Sequence, residues 1–118
     1  MEIMHSTLEE HQLDALFTAL SDRTRRDIVA RLSTGEATVK ELAMPYTMSM
    51  QAVSQHIRVL ERSGLVTQRR ERQTRPCQLE PAALEAALSW IEESRRTWSD
   101  RMDRLETHLA HLQERESQ

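Results

Sequence analysis

Apolar residues recur three or four positions apart along the first third of the chain, which is the period of an α-helix. This spacing predicts a first helix over residues 7–20, built on Leu13, Leu16, Phe17 and Leu20. Ser21 and Asp22 then interrupt the pattern and are good helix-capping types. A second helix follows over residues 23–32, and the residues expected on its buried side are Ile28, Val29 and Leu32.

The next segment has the pattern of two helices joined by a tight turn, over residues 38–63. Thr38 and Glu41 have the spacing of a capping box for a short helix that ends before Pro45. Ser49 is a good N-cap for a longer helix that runs to Ser63. At 100° per residue its apolar side holds Val53, Ile57 and Leu60, whereas the opposite side collects Gln51, Ser54, Gln55, Arg58 and Arg62.

Residues 65–80 favour a β-hairpin, because two β-prone runs flank a polar tip. No glycine lies in the tip, so its turn type stays open. The hairpin is unusually cationic, with one acid, Glu71, among Arg69, Arg70, Arg72 and Arg75.

A long helix is predicted over residues 82–114, after Pro81. Its apolar positions alternate steps of four and three, broken only by Arg95, over roughly 42 Å at 1.5 Å per residue. We define this seam as Leu84, Leu88, Ile91, Arg95, Trp98, Met102, Leu105, Leu109 and Leu112. One small domain cannot easily cover a seam of this length, so we expect it to meet a second copy of the chain. The predicted dimer interface is Leu13, Leu16, Phe17, Ile91, Trp98, Met102, Leu105, Leu109 and Leu112.

These elements make a mostly α fold with a small β-hairpin wing, in the order α-α-α-α-β-β-α, as one winged helix-turn-helix domain over residues 1–118. The 118 residues hold only 2 Gly, which excludes a β-barrel or a Gly-rich phosphate loop. The net charge of −3 conceals a cationic middle, since residues 23–79 carry eleven basic and five acidic side chains. Such a segment suits a polyanion partner.

Features that the sequence lacks indicate the cellular compartment and bear on whether the protein is an enzyme. Cys77 is its single cysteine, so an internal disulfide is excluded and a reducing compartment is expected. With no long apolar run and no signal-peptide pattern, we expect a cytoplasmic protein that does not enter a membrane. No nucleophile with its orienting partners is recognisable, so no catalytic residue and no enzyme activity are predicted.

Two motifs resemble the ArsR/SmtB family of repressors. Leu20-Ser21-Asp22-Arg23-Thr24-Arg25 is similar to the opening signature of that family, and residues 49–66 are similar to its recognition helix and the run into its wing. The likeness covers about residues 13–80. It implies a dimeric, DNA-binding transcriptional repressor whose first and last helices form the dimer interface.

The polar side of the fourth helix and the wing are the expected DNA contacts. Amides and guanidinium groups in the first half of such a helix suit base edges in the major groove, whereas Arg62 and the wing arginines suit phosphate or the minor groove. We expect His56 to be packed or to contact phosphate. The predicted DNA-binding residues are Ser49, Gln51, Ser54, Gln55, His56, Arg58, Arg62, Arg69, Arg70, Arg72 and Arg75.

Two other functions stay open at this point: a dimeric protein-interaction module and a metal-responsive repressor. The family's thiolate pair is replaced by Glu41-Leu42-Ala43-Met44, and in its last-helix site Trp98 and Asp100 stand where ligands are needed, although His111 and Glu114 fit the second half. We therefore predict no metal and no cofactor. The operator, the regulated genes, any inducer and the role of Cys77 stay undetermined by the sequence.

Overall fold

Residues 2–117 are described by the computed structural model, with side chains from residue 10 onward. Over this range the chain forms five helices and three short strands in the order α-α-β-α-α-β-β-α. The elements are α1 (Glu2–Leu20), α2 (Arg23–Leu32), β1 (Ala37–Thr38), α3 (Val39–Ala43), α4 (Met50–Arg62), β2 (Val66–Gln68), β3 (Pro76–Leu79) and α5 (Pro81–Glu116). The predicted fold class is confirmed. The strand β1 was not predicted from the sequence, and α1 begins five residues before the predicted start.

Side-chain caps define where the three middle helices begin. Asp22 accepts a hydrogen bond from the Arg25 backbone N–H at 3.0 Å and caps α2. At α3 the predicted capping box is present, because Thr38 Oγ1 accepts from the Glu41 N–H and the Glu41 carboxylate accepts from the Thr38 N–H. Ser49 Oγ accepts from the Ala52 N–H at 3.1 Å and caps α4, as predicted.

The three strands form one antiparallel sheet in the order β1-β3-β2. Gln68 pairs with Cys77 on one side of β3, and Ala37 pairs with Cys77 on the other. At the wing tip Glu71 and Thr74 exchange two backbone hydrogen bonds of 3.1 and 2.9 Å. The tight turn between them places Arg72 at a φ of 53°, a left-handed conformation that non-glycine residues seldom adopt.

The core gathers one apolar side from each of α1, α2, α3 and α4, together with the sheet. Its largest fully buried side chains are Leu16, Ile28, Leu42, Val53, Ile57, Leu60, Leu65, Val66 and Cys77. Leu16 was expected at the dimer interface, but it has no exposed surface and belongs to the core of its own chain. Val29 is only partly buried, so the expected burial on α2 rests on Ile28 and Leu32.

The residue contacts divide the chain into two compact units, one ending at Ala87 and the other beginning at Leu88. The second unit is the remaining length of α5. Its apolar seam is open to solvent in the single chain, with exposures between 39% and 62% at Leu88, Ile91, Trp98, Met102, Leu105, Leu109 and Leu112. Among the described residues no helix is long and apolar enough to cross a membrane.

Candidate nucleic-acid interface

Helix α4 presents a polar face to solvent because its other side is fixed in the core. Val53, Ile57 and Leu60 are buried at 1% exposure or less, as the helical spacing predicted. On the opposite side the structure brings together four exposed polar residues and the half-buried Ser54: Gln51, Ser54, Gln55, Arg58 and Arg62. The face thus carries both donors and acceptors of hydrogen bonds.

His56 lies beside this polar face but is turned toward α2. Its side chain is 22% exposed, and its Nδ1 lies 3.3 Å from Arg25 Nη1 and 3.7 Å from Asp22 Oδ2. The same guanidinium donates to the carbonyl oxygens of Ala19 at 2.7 Å and Thr18 at 3.0 Å. Three elements, α1, α2 and α4, therefore meet at Arg25.

The role of Arg25 was not predicted from the sequence. Asp22 is the N-cap of α2, and the backbone N–H of Arg25, the third helical residue, donates to it, which leaves the Arg25 side chain free for the contacts to α1 and α4. That backbone hydrogen bond holds the pKa of Asp22 below its ordinary value, against the opposing effect of desolvation. The Arg26 guanidinium also contacts the end of α1, because it donates to the Leu20 carbonyl oxygen at 2.7 Å.

The turn between α3 and α4 is held from α2. Arg31 donates to the carbonyl oxygens of Leu42 at 2.9 Å and Glu41 at 3.2 Å, and its guanidinium lies 5.7 Å from the centre of the Tyr46 ring. The Tyr46 hydroxyl donates to the Asp27 carboxylate. Burial, reinforced by this bond to Asp27, raises the pKa of Tyr46. These contacts join α2 to the end of α3 and to the turn that precedes α4.

The four wing arginines are all exposed, but they differ in their partners. Arg69 forms ion pairs with Glu36 at 2.7 Å and Glu71 at 3.0 Å. Within the described part of the chain, the three remaining arginines of the wing, Arg70, Arg72 and Arg75, have no carboxylate within 4.0 Å. The structure thus distinguishes one arginine paired with carboxylates from three without such a partner, a difference that the sequence of the wing does not show.

A groove of about 700 Å³ separates α4 from the wing. Cations dominate its polar lining, since Glu61 is the only acid there and it accepts a hydrogen bond from Gln68 at 2.8 Å. The lining residues are Val39, Ser54, Ile57, Arg58, Glu61, Gln68, Arg69, Arg70 and Arg75. Helix and wing therefore form one continuous cationic surface.

The described residues contain no cluster of three or more His, Cys, Asp or Glu side chains that could hold a metal ion. Cys77 is buried in β3, and burial, with a smaller effect of Glu61, raises the pKa of its thiol to about 11. The thiolate is the reactive form of cysteine, so this side chain is an apolar core residue at neutral pH.

Comparison with known proteins agrees with this geometry. A family described as a helix-turn-helix domain matches residues 20–69. The HTH-type transcriptional regulator Rv2034 of Mycobacterium tuberculosis is 45% identical over 73 residues, which are 62% of this chain and 68% of that protein. The transcriptional repressor SdpR of Bacillus subtilis is 27% identical over 79 residues, 67% of this chain and 88% of that repressor.

Among solved structures, the ArsR family transcriptional regulator RHA00566 superposes with a TM-score of 0.72 at 38% identity, over 76% of this chain and 93% of that one. This chain belongs to the ArsR family. The resemblance found in the two motifs is thereby confirmed, and this ArsR-family chain is a DNA-binding transcriptional regulator.

Proposed function

We propose that this ArsR-family regulator is a homodimeric repressor that places one α4 helix from each copy in the major groove of an inverted-repeat operator. The observation that carries the proposal is the continuous cationic surface of α4 and the wing. A two-fold dimer matches a two-fold DNA site, and its half-sites lie about one helical turn apart or a small multiple of that.

The first half of α4 is the proposed base-reading segment. Recognition helices of this kind insert their N-terminal residues most deeply into the major groove. Gln55 and Gln51 carry amides suited to adenine, and Arg58 carries a guanidinium suited to guanine. The hydroxyl of Ser54, half-buried at the groove, can accept a hydrogen bond from either base or donate one to it. Ser49 caps the helix and lies at its DNA-facing end.

The proposed phosphate contacts are Arg62, at the end of α4, and the wing arginines with no carboxylate partner, Arg70, Arg72 and Arg75. Phosphate contacts supply affinity and register but no sequence information. Arg69 joins them when its two carboxylate partners are exchanged for phosphate oxygens.

The proposed dimer contact is the seam of α5 from Ile91 to Leu112, together with Leu13 and Phe17 of α1, while Leu84 packs against the core of its own chain. A heptad of apolar residues is the pattern that helices use to pack on one another. Arg95, the one polar seam position, is paired with Glu92 at 2.8 Å. This ion pair lowers the pKa of Glu92 and raises that of Arg95, mainly through the side-chain hydrogen bond.

Repression is the proposed outcome of binding, because a dimer seated on a promoter excludes the polymerase. The relative SdpR is named a transcriptional repressor. Since promoter DNA is the target, we also propose a cytoplasmic location and a single functional domain over residues 1–118, with no catalytic role.

The test begins with selection of operator duplexes from a random library by the wild-type protein. Gln55→Ala should then reduce the ratio of operator to random-DNA affinity, each lost base contact amounting to about 1–3 kcal/mol. Arg70→Ala should weaken both duplexes alike and lower the salt slope by about one. The assignment would be refuted if Gln55→Ala weakened both duplexes alike and Arg70→Ala lowered the ratio of operator to random-DNA affinity. If no duplex is selected at all, DNA binding itself is refuted.

A further inference from the structure

Resting on the proposed function of α4, we propose that Arg25 and His56 are positioning residues. They fix the rotation of the recognition helix against the C-terminal end of α1, and His56 contacts Arg25 instead of DNA. The polar contacts of His56 are with Arg25 and Asp22 at the start of the second helix. We therefore assign Arg25 and His56 an effect on recognition that acts through Gln55 and its neighbours.

The guanidinium of Arg25 is itself held rigidly. Carbonyl groups in the last turn of a helix have no partner within that helix. Arg25 donates to two of them at the end of α1, with Nε on Ala19 and with Nη2 on Thr18, whose oxygen also accepts from Ser21. Because the guanidinium donors lie in one fixed plane, these two bonds also set the direction in which Nη1 points.

That remaining donor meets His56. A guanidinium has donors only, so Nδ1 of His56 is the acceptor, and the proton of the neutral imidazole is on Nε2. The Asp22 carboxylate lies 3.7 Å from the same Nδ1 while capping α2 through the Arg25 N–H. The Arg25 contact therefore orients the imidazole and favours an unprotonated Nδ1, whereas the Asp22 carboxylate, itself an acceptor, makes no hydrogen bond to that nitrogen.

The hydrogen bond between Arg25 and His56 is directional, a property that apolar packing lacks. The burial of Val53 and Ile57 attaches α4 to the core, but hydrophobic contact is not directional. Side chains reach about 5–6 Å from the axis of a helix, so a turn of about 10° about the axis moves their ends by about 1 Å. That displacement is enough to break a hydrogen bond to a base, since the accepted range spans only about 0.5 Å.

The experiment compares two variants of the full-length protein that differ in one property. In His56→Asn the side-chain oxygen lies near the position of Nδ1 and still accepts from Arg25, whereas His56→Leu has no acceptor. Each is titrated with the selected operator and with a random duplex over a range of salt concentrations. Thermal melting confirms that each variant is folded at the assay temperature.

We expect His56→Leu to lose about tenfold or more in operator affinity relative to random DNA, similar to one mismatched base pair, with an unchanged salt slope. His56→Asn should stay within about threefold of the wild type, well inside the cost of one mismatch. Arg25→Gln should reproduce the loss of His56→Leu, and the double variant should lose no more than either single variant.

Three results would overturn the proposal. A salt slope lowered by about one in His56→Leu would identify a phosphate contact. Equal losses in His56→Asn and His56→Leu would show that the acceptor is not what matters. An unchanged ratio of operator to random-DNA affinity in a folded His56→Leu variant would show that the contact contributes to stability and not to recognition.

A second measurement does not depend on the variants folding. The imidazole nitrogens of wild-type His56 should show, by ¹⁵N NMR, an unprotonated Nδ1 both free and bound to operator. A proton on Nδ1 in the free protein, or a change of tautomer on binding, would contradict the geometry. If the wild type binds no duplex while Nδ1 is unprotonated, DNA binding fails but the Arg25 contact stands.

Discussion

Leu105 offers the sharpest test of the proposed dimer. It lies on the seam of α5 and keeps 49% of its surface exposed in the single chain. Truncation to alanine preserves helix propensity, so any loss of dimer comes from the missing apolar contact and not from unfolding of α5.

The size of the effect follows from the exposed fraction. Complete burial of a leucine contributes about 1.5–3 kcal/mol, so covering the exposed half contributes about 1 kcal/mol in each copy. In a two-fold dimer the change occurs twice, which gives about 2 kcal/mol, or roughly 30-fold in the dissociation constant. Replacement of both Met102 and Leu105 with Asp should abolish the dimer at micromolar concentration, because an unpaired carboxylate is costly to bury.

Sedimentation equilibrium over a range of concentrations measures the dissociation constant directly. Glu106→Ala is the matched control, since Glu106 is the neighbouring exposed residue of α5 outside the seam. Circular dichroism verifies equal helix content. A wild-type chain that is monomeric at micromolar concentration, or a Leu105→Ala dimer no weaker than the Glu106→Ala dimer, would refute the reasoning.

Three further predictions concern charge. Glu36→Gln and Glu71→Gln together should release Arg69 and tighten binding to random DNA, steepening its salt slope by up to about one, and an unchanged slope would contradict this. The backbone hydrogen bond from Thr38 holds the pKa of Glu41 below its ordinary value of 4.5, so the wild type should lose thermal stability as the pH falls below 4.5. Glu41→Gln should lose less over the same range, and identical profiles would argue against the capping bond. Zinc, cadmium or arsenite should change operator affinity by less than about threefold, where a coupled site gives about five- to 150-fold. Metal-induced release of DNA that disappears in His111→Ala would show a sensor site.

Contacts between residues close in the chain were predictable from the sequence. The cap at Ser49 and the box of Thr38 with Glu41 join residues three apart, so residue type and spacing determine them. The buried side of α4 is equally local, because one helical period relates its members. The short strand β1 has no such signal, since its two residues become a strand only by pairing with β3 some forty residues later.

The same distinction divides the candidate site. The number of wing arginines can be counted in the sequence, but of the two carboxylates paired with Arg69, Glu71 is local and Glu36 lies 33 residues away. His56 was predicted to be packed or to contact phosphate, yet its partner Arg25 lies 31 residues earlier and is positioned by the α1 end. Which cations are free and which polar residues are structural is therefore decided by tertiary contacts.

The backbone of the wing tip carries a conflict between stability and function. With a φ of 53°, Arg72 occupies a conformation that costs a residue with a side chain about 1 kcal/mol, and that glycine adopts without this cost. Arg72→Gly should accordingly stabilise the hairpin while removing a cation from the surface proposed to meet phosphate. Selection for a stable fold would then favour glycine at this position, whereas selection for promoter occupancy would favour arginine. The arginine in this chain is the residue that favours occupancy.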